Sequence, residues 1–172
     1  MANKYFWRNK MKNFTVFIIM LLFLVSCSST GTNSQLKVGI IAPLTGPNAW
    51  IGELIEQSAE MGIEHANVAG GVNDLPIEFV LEDADTSAEA STAANKLISQ
   101  DSVDVIYAIT TPNTAAASAV AEQHEIPLFG FTAVPTFAKK GKWTFIDLRN
   151  IETECTLLGE TALNQGHVKI AL

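Results

Sequence analysis

The stretch Leu36–Ala42 constrains this chain more than any other. LKVGIIA is almost continuously apolar and carries β-branched Val38, Ile40 and Ile41, the pattern of a strand covered on both faces in a parallel sheet. Pro43, Gly46 and Pro47 end it. From about Ala49 the apolar residues Ile51, Leu54, Ile55, Ala59, Ile63 and Ala66 recur at three- and four-residue steps, while Glu53, Glu56, Glu60 and Glu64 fill the opposite face. That spacing predicts a helix buried along one side, and Gly70-Gly71 supplies a stop that tolerates a left-handed residue.

The same plan recurs along the chain. A second strand, Ile77–Asp83, opens after Pro76 and leads to a helix over Ala88–Gln100; a third, Val103–Ala108, leads to an alanine-rich helix over Thr114–His124. Pro127–Gly130 is a short fourth strand followed by the loop Phe131–Thr136. Trp143–Leu148 is a fifth, Thr153–Gln165 a helix and Val168–Leu172 a sixth strand. The alternation predicts an α/β fold, a three-layer and mostly parallel sheet. In such sheets the loops at the carboxyl ends of the strands face the ligand crevice, and helix amino termini there favour anions. Pro43–Trp50 is therefore a first candidate site, or else an ordinary connection with an exposed tryptophan.

Ahead of this region Lys4, Arg8, Lys10 and Lys12 precede an apolar run from Phe14 to Val25, and no acid occurs before Glu53. A basic segment followed by so short an apolar core is a secretory signal rather than a comfortable membrane span, although an uncleaved anchor is the other reading. The run ends in Leu24-Val25-Ser26-Cys27, which resembles the lipobox of bacterial lipoproteins. That resemblance implies cleavage after Ser26, lipidation of Cys27 and attachment to a membrane outside the cytoplasm. Residues 27–35 are polar and small enough to serve as a tether.

The whole chain holds 11 Lys+Arg against 18 Asp+Glu; without the four basic residues that precede Cys27 the balance is 7 against 18, a formal charge of −11. So acidic a surface speaks against a nucleic-acid partner. With Cys27 committed to lipid, Cys155 is the one cysteine left, which excludes an internal disulfide and a thiol-based metal site. Glu152 and Glu154 beside it disfavour a thiolate. Neither GxGxxG, nor a P-loop, nor a GxSxG elbow occurs. His65, His124 and His167 are far apart and near predicted helix ends, where a histidine meets terminal carbonyls.

Two clusters remain. Glu82, Asp83 and Asp85 close the second strand; they are either a carboxylate pair for a metal or acid–base step, or part of a helix N-cap region with Thr86 and Ser87, and the absence of a nearby histidine favours the cap. Thr110-Thr111-Pro112-Asn113-Thr114 follows the third strand, with Asn113 as the expected N-cap. Hydroxyls and amides at a helix amino terminus can hold a carboxylate without a fixed positive charge; the same residues can also simply cap and turn.

Taken together, the lipobox, KVGIIAPLTGPNAWIGE, the Gly-Gly after the first helix, LEDADTSAEASTAANKLISQDSVDVIYA and TTPNTAAASAVAEQHEIPLFGF resemble the type I periplasmic solute-binding proteins, in the branched-chain amino acid receptor branch of ABC transporters. The likeness runs from Leu36 to Leu172. It implies a flavodoxin-like strand order 2-1-3-4-5, a binding protein without catalysis or cofactor that closes two lobes over a small solute, and ABC permease subunits as partners. It places ligand contacts on Trp50, on Thr110, Thr111 and Thr114 for a carboxylate, and on Thr132, Ala133 and Val134 for an ammonium group. Val134 stands where amino-acid binders tend to carry threonine, so a related acid, amide or peptide-like solute fits as well as an α-amino acid. The family's disulfide between the loops after strands two and three is absent. Residues 36–150 would be lobe one and 151–172 the crossover into lobe two, so a fragment or truncated product is expected. A ligand sensor on the same fold, or a lipoprotein with an enzymatic or structural role, are the alternatives.

Overall fold

The computed structural model describes residues 35–167 and residue 169. The expected signal segment, Cys27, the expected tether but for residue 35 and the predicted sixth strand but for residue 169 lie outside the described residues. Five strands, β1 (Leu36–Ala42), β2 (Ile77–Asp83), β3 (Val105–Ile109), β4 (Leu128–Phe131) and β5 (Thr144–Ile146), form one sheet in the order β2-β1-β3-β4-β5. Every pairing is parallel. The flavodoxin-like order implied by the resemblance is the observed one.

The helices are α1 (Ala49–Val68), α2 (Ser87–Ser99), α3 (Thr111–His124), α4 (Thr136–Lys140) and α5 (Ile151–Asn164). Alternation along the strands sorts the core into two faces. On one side Ile41, Ile106, Ala108 and Leu128 meet Ala90, Ala93, Ala94 and Leu97 of α2 and Ala117 and Ala121 of α3. The small side chains let those two helices lie close to the sheet. On the other side Ile40, Ala42 and Ile109 meet Ile51, Ile55 and Ala59 of α1. Farther along that face Phe129 and Phe145 stack with ring centroids 5.3 Å apart, and both stay exposed.

Several boundaries differ from the sequence expectation, each for a local reason. The Val103 N–H donates to Leu97 O and so belongs to the end of α2, which delays β3 to Val105. α3 starts at Thr111 rather than Thr114, with Thr110 as its N-cap in place of Asn113. The cause is that Asn113 is buried and its amide donates to Ala84 O at 2.8 Å. β5 is only Thr144–Ile146, because the Trp143 amide is taken by the Glu122 carboxylate at 2.9 Å. α5 begins two residues before Thr153, since the Asn150 carboxamide oxygen accepts from Glu152 N at 2.9 Å. α4 lies where no helix was expected. Among the described residues no helix is long and apolar enough to cross a membrane.

Candidate ligand-binding site

β1 and β3 are neighbours from which the chain leaves toward opposite faces, to α1 on one side and to α3 on the other. That is the topological switch point, where the carboxyl-end loops part and leave a crevice. The loop after β1 carries Trp50, which is 62% exposed in the first turn of α1. Gly52 makes this placement possible: a Cβ there would lie 2.3 Å from Pro43 O, so the first turn runs directly against the end of β1.

The loop after β3 is a single residue wide. Thr110 caps α3 with φ 79 and ψ 153, a backbone region that glycine occupies and β-branched residues avoid. Its hydroxyl accepts from Asn113 N at 3.5 Å. Thr111, the first residue of α3, is exposed, and its hydroxyl lies 2.9 Å from that of Thr132 in the loop after β4. Thr132 is buried and also accepts from Val134 N at 3.2 Å. Ala133 and Val134 are half-buried beside it. Thus the loops after β3 and β4 meet through a hydroxyl pair at the amino terminus of α3, where first-turn amides have no intrahelical acceptor.

Thr114 does not join this surface. It is fully buried, its hydroxyl donates within the protein toward Thr110 O at 2.8 Å and Ala108 O at 3.2 Å, and its methyl group faces Gly130 of β4. It shapes the turn rather than presenting a donor to solvent. The Asn113 Oδ1 is buried without a hydrogen-bond partner among the described residues.

Sequence reasoning missed how the β1–α1 loop is held. Asp83 accepts from Leu44 N at 2.7 Å, Thr45 N at 3.2 Å and Thr45 Oγ1 at 2.6 Å. The Thr45 hydroxyl, helped by the two amides against a modest cost of burial, holds the Asp83 carboxyl below the usual carboxylate range. Asp85 accepts from Asn48 Nδ2 at 3.0 Å. The N-cap region expected around Asp85-Thr86-Ser87 is present, with Thr86 as the cap and Glu89 completing a reciprocal capping box at the start of α2, while the two aspartates turn to the β1–α1 loop. The available signal was the Asp-Ala-Asp spacing, which puts two carboxylates on one side of an extended segment while buried Ala84 faces the other.

Residues 35–172 match the periplasmic binding protein family. The chain belongs to that family. Among relatives of this periplasmic binding protein, Leu/Ile/Val-binding protein homolog 3 of Brucella melitensis is 29% identical over 133 residues, 75% of this chain and 34% of its own length. Homolog 1 of Brucella abortus is 30% identical over 130 residues, 74% of this chain and 35% of its own. Homolog 7 of the same species is 32% identical over 103 residues, covering 59% of this chain and 26% of its own. The chain therefore spans about a quarter to a third of the length of the curated relatives it matches.

Among solved structures, the fold is similar to that of an ABC-transporter solute-binding protein from Rhodopseudomonas palustris BisB5 in complex with 3,4-dihydroxybenzoic acid. The TM-score is 0.65 at 26% identity, over 77% of this chain and 37% of that one. The branched-chain amino acid transporter substrate-binding protein of Streptococcus pneumoniae, in complex with isoleucine, gives 0.59 at 25% identity, over 67% and 34%. By name these proteins bind solutes.

Proposed function

We propose that this periplasmic binding protein is the solute-binding component of an ABC importer, anchored outside the cytoplasm through lipid on Cys27. It binds and does not catalyse. Its ligand is a small solute with a carboxylate group, held between this lobe and a second one. The Thr111–Thr132 hydroxyl pair is the observation that carries the reading: two hydroxyls 2.9 Å apart share one hydrogen bond, which leaves a second hydroxyl hydrogen to give to an anion at the start of α3. Trp50 offers an apolar or aromatic surface, a type of contact that suits aliphatic and aromatic acids alike. Thr110 adds a backbone group, and Ala133 and Val134 add backbone carbonyls for a donor on the ligand. Two relatives in complex with isoleucine and with 3,4-dihydroxybenzoic acid support this class of ligand.

Isothermal titration of the protein with a panel of amino acids and aromatic acids, each beside its methyl ester, tests the reading. Saturable binding of an acid, lost in its ester and without turnover, supports it; ester and acid binding alike, or conversion of the solute, overturns it. Radiolabelled palmitate incorporation that vanishes in Cys27→Ser tests the anchor.

A further inference from the structure

We propose that Asp83 and Asp85 are positioning residues for ligand recognition, clasping the Leu44–Asn48 loop from the end of β2 and so fixing the first turn of α1 on which Trp50 stands. The inference rests on the ligand site proposed above. β2 is an edge strand, two places from β3, whose loop carries Thr111, and three from β4, whose loop carries Thr132. The register makes the clasp possible: Ala42, the last residue of β1, is paired with Asp83, and Ala84 N donates to Ala42 O at 3.0 Å. The carboxylate therefore sits level with the start of the loop and collects three of its donors.

Asp85 acts on the far end of the same loop. Asn48 occupies the N-cap position of α1, yet its side chain makes no capping bond; its amide donates to Asp85 instead. Gly46 adopts φ +78, and a Cβ there would come within 3.2 Å of Asp85 Oδ2. α1 thus lacks a side-chain cap of its own and takes its starting point from a neighbouring strand end. Capping of α2 does not require either carboxylate, since Thr86 and Glu89 supply it. What the two aspartates hold is the loop that leads to Trp50.

The test is 19F NMR of the full chain labelled with 5-fluorotryptophan, with the Trp50 resonance identified by its loss in Trp50→Phe and Trp143 as the internal reference. Isoleucine and 3,4-dihydroxybenzoate serve as probes. Asp83→Ala is expected to shift or broaden the Trp50 resonance while sparing Trp143, and to weaken whichever probe binds on the order of tenfold, the loss expected from one or two hydrogen bonds to a charged group in a wet setting. Asp83→Asn keeps an acceptor for the two amides and recovers both readouts. Thr86→Ala lowers the thermal midpoint through α2 and leaves both unchanged. If Asp83→Ala does not fold, Asn48→Ala, which removes only the bond to Asp85, carries the same expectation. A Trp50 resonance indifferent to both variants, or one moved equally by Thr86→Ala, overturns the proposal. If the resonance responds but neither probe binds the wild-type protein, the clasp stands and the ligand reading of the site falls.

Discussion

The hydroxyl oxygens of Thr111 and Thr132 lie 2.9 Å apart, joining the first residue of α3 to the loop after β4. One side of the pair is exposed and the other buried. In the proposed site, a bridge between adjacent strand ends with one hydroxyl hydrogen to spare is a preorganised donor for an anion: little has to be ordered when the ligand arrives.

Removing the exposed member separates recognition from folding. Thr111→Val deletes the hydroxyl at nearly constant volume and is expected to weaken a carboxylate probe by about 1–3 kcal/mol. Thr111→Ser is expected to retain most of the affinity. Calorimetric titration of both variants checks this, and equal affinities for Val and Ser variants would mean that the loop only turns.

Thr110, a ligand contact in the proposed site, is held at φ 79 and ψ 153. Such a backbone costs of the order of 1–3 kcal/mol in a non-glycine residue, and the capping bond it makes is long at 3.5 Å. Thr110→Gly relieves the strain at the price of a more flexible unfolded chain, about 0.5–1 kcal/mol. The expected result is a higher thermal midpoint together with several-fold weaker binding. A lower midpoint would show that the strain is absent.

Gly130 and Thr114 form a steric pair at the contact of β4 with α3. A Cβ on Gly130 would lie 2.2 Å from Thr114 Cγ2, so Gly130→Ala forces one element away at a cost of about 1–3 kcal/mol. Thr114→Ser removes the offending methyl group and keeps the hydroxyl that satisfies Thr110 O. In denaturant unfolding the double variant is expected to be more stable than Gly130→Ala alone, a non-additivity that neighbours in contact produce. Simple additivity would place the clash elsewhere.

Glu122 links stability to acid. Burial alone would raise its pKa, but donors from Lys142 N, Trp143 N and the Thr144 hydroxyl and amide outweigh it and hold the carboxyl below its ordinary 4.5. The unfolded chain then takes up the proton more readily than the folded one. Its contribution is complete above pH 4.5 and disappears as pH falls through the lower folded value. Thermal midpoints measured from pH 6 downward are expected to fall less steeply in Glu122→Gln than in wild type. Parallel curves would remove Glu122 from the acid response.

Much of the fold was legible because burial imposes simple periods. Leu36–Ala42 and Ile77–Asp83 were bounded correctly from apolar runs and flanking proline and glycine, and the strand order followed from the resemblance. The errors arose where a side chain reached across the sequence. Asn113 was taken for a cap because its type and position suit one, whereas tertiary contact with Ala84 O draws it inside and passes the cap to Thr110. Thr114, assigned to the ligand by the resemblance alone, is buried and gives its hydroxyl to Thr110 O one helical turn back. The Thr111–Thr132 bridge and the hold of Asp83 on Thr45 span 21 and 38 residues of sequence, a separation that no local pattern encodes.

The central claim is that a carboxylate-bearing solute is held at the carboxyl ends of β1, β3 and β4. Amide and indole NMR spectra of the 15N-labelled protein, recorded during titration with isoleucine and then with 3,4-dihydroxybenzoate, test it most directly. The account predicts saturable shifts that centre on Thr111, Thr132, Ala133, Val134 and the Trp50 indole and that are lost when the acid is replaced by its methyl ester. A folded protein whose spectrum stays still with both solutes, or whose shifts gather on residues away from these strand ends, contradicts it.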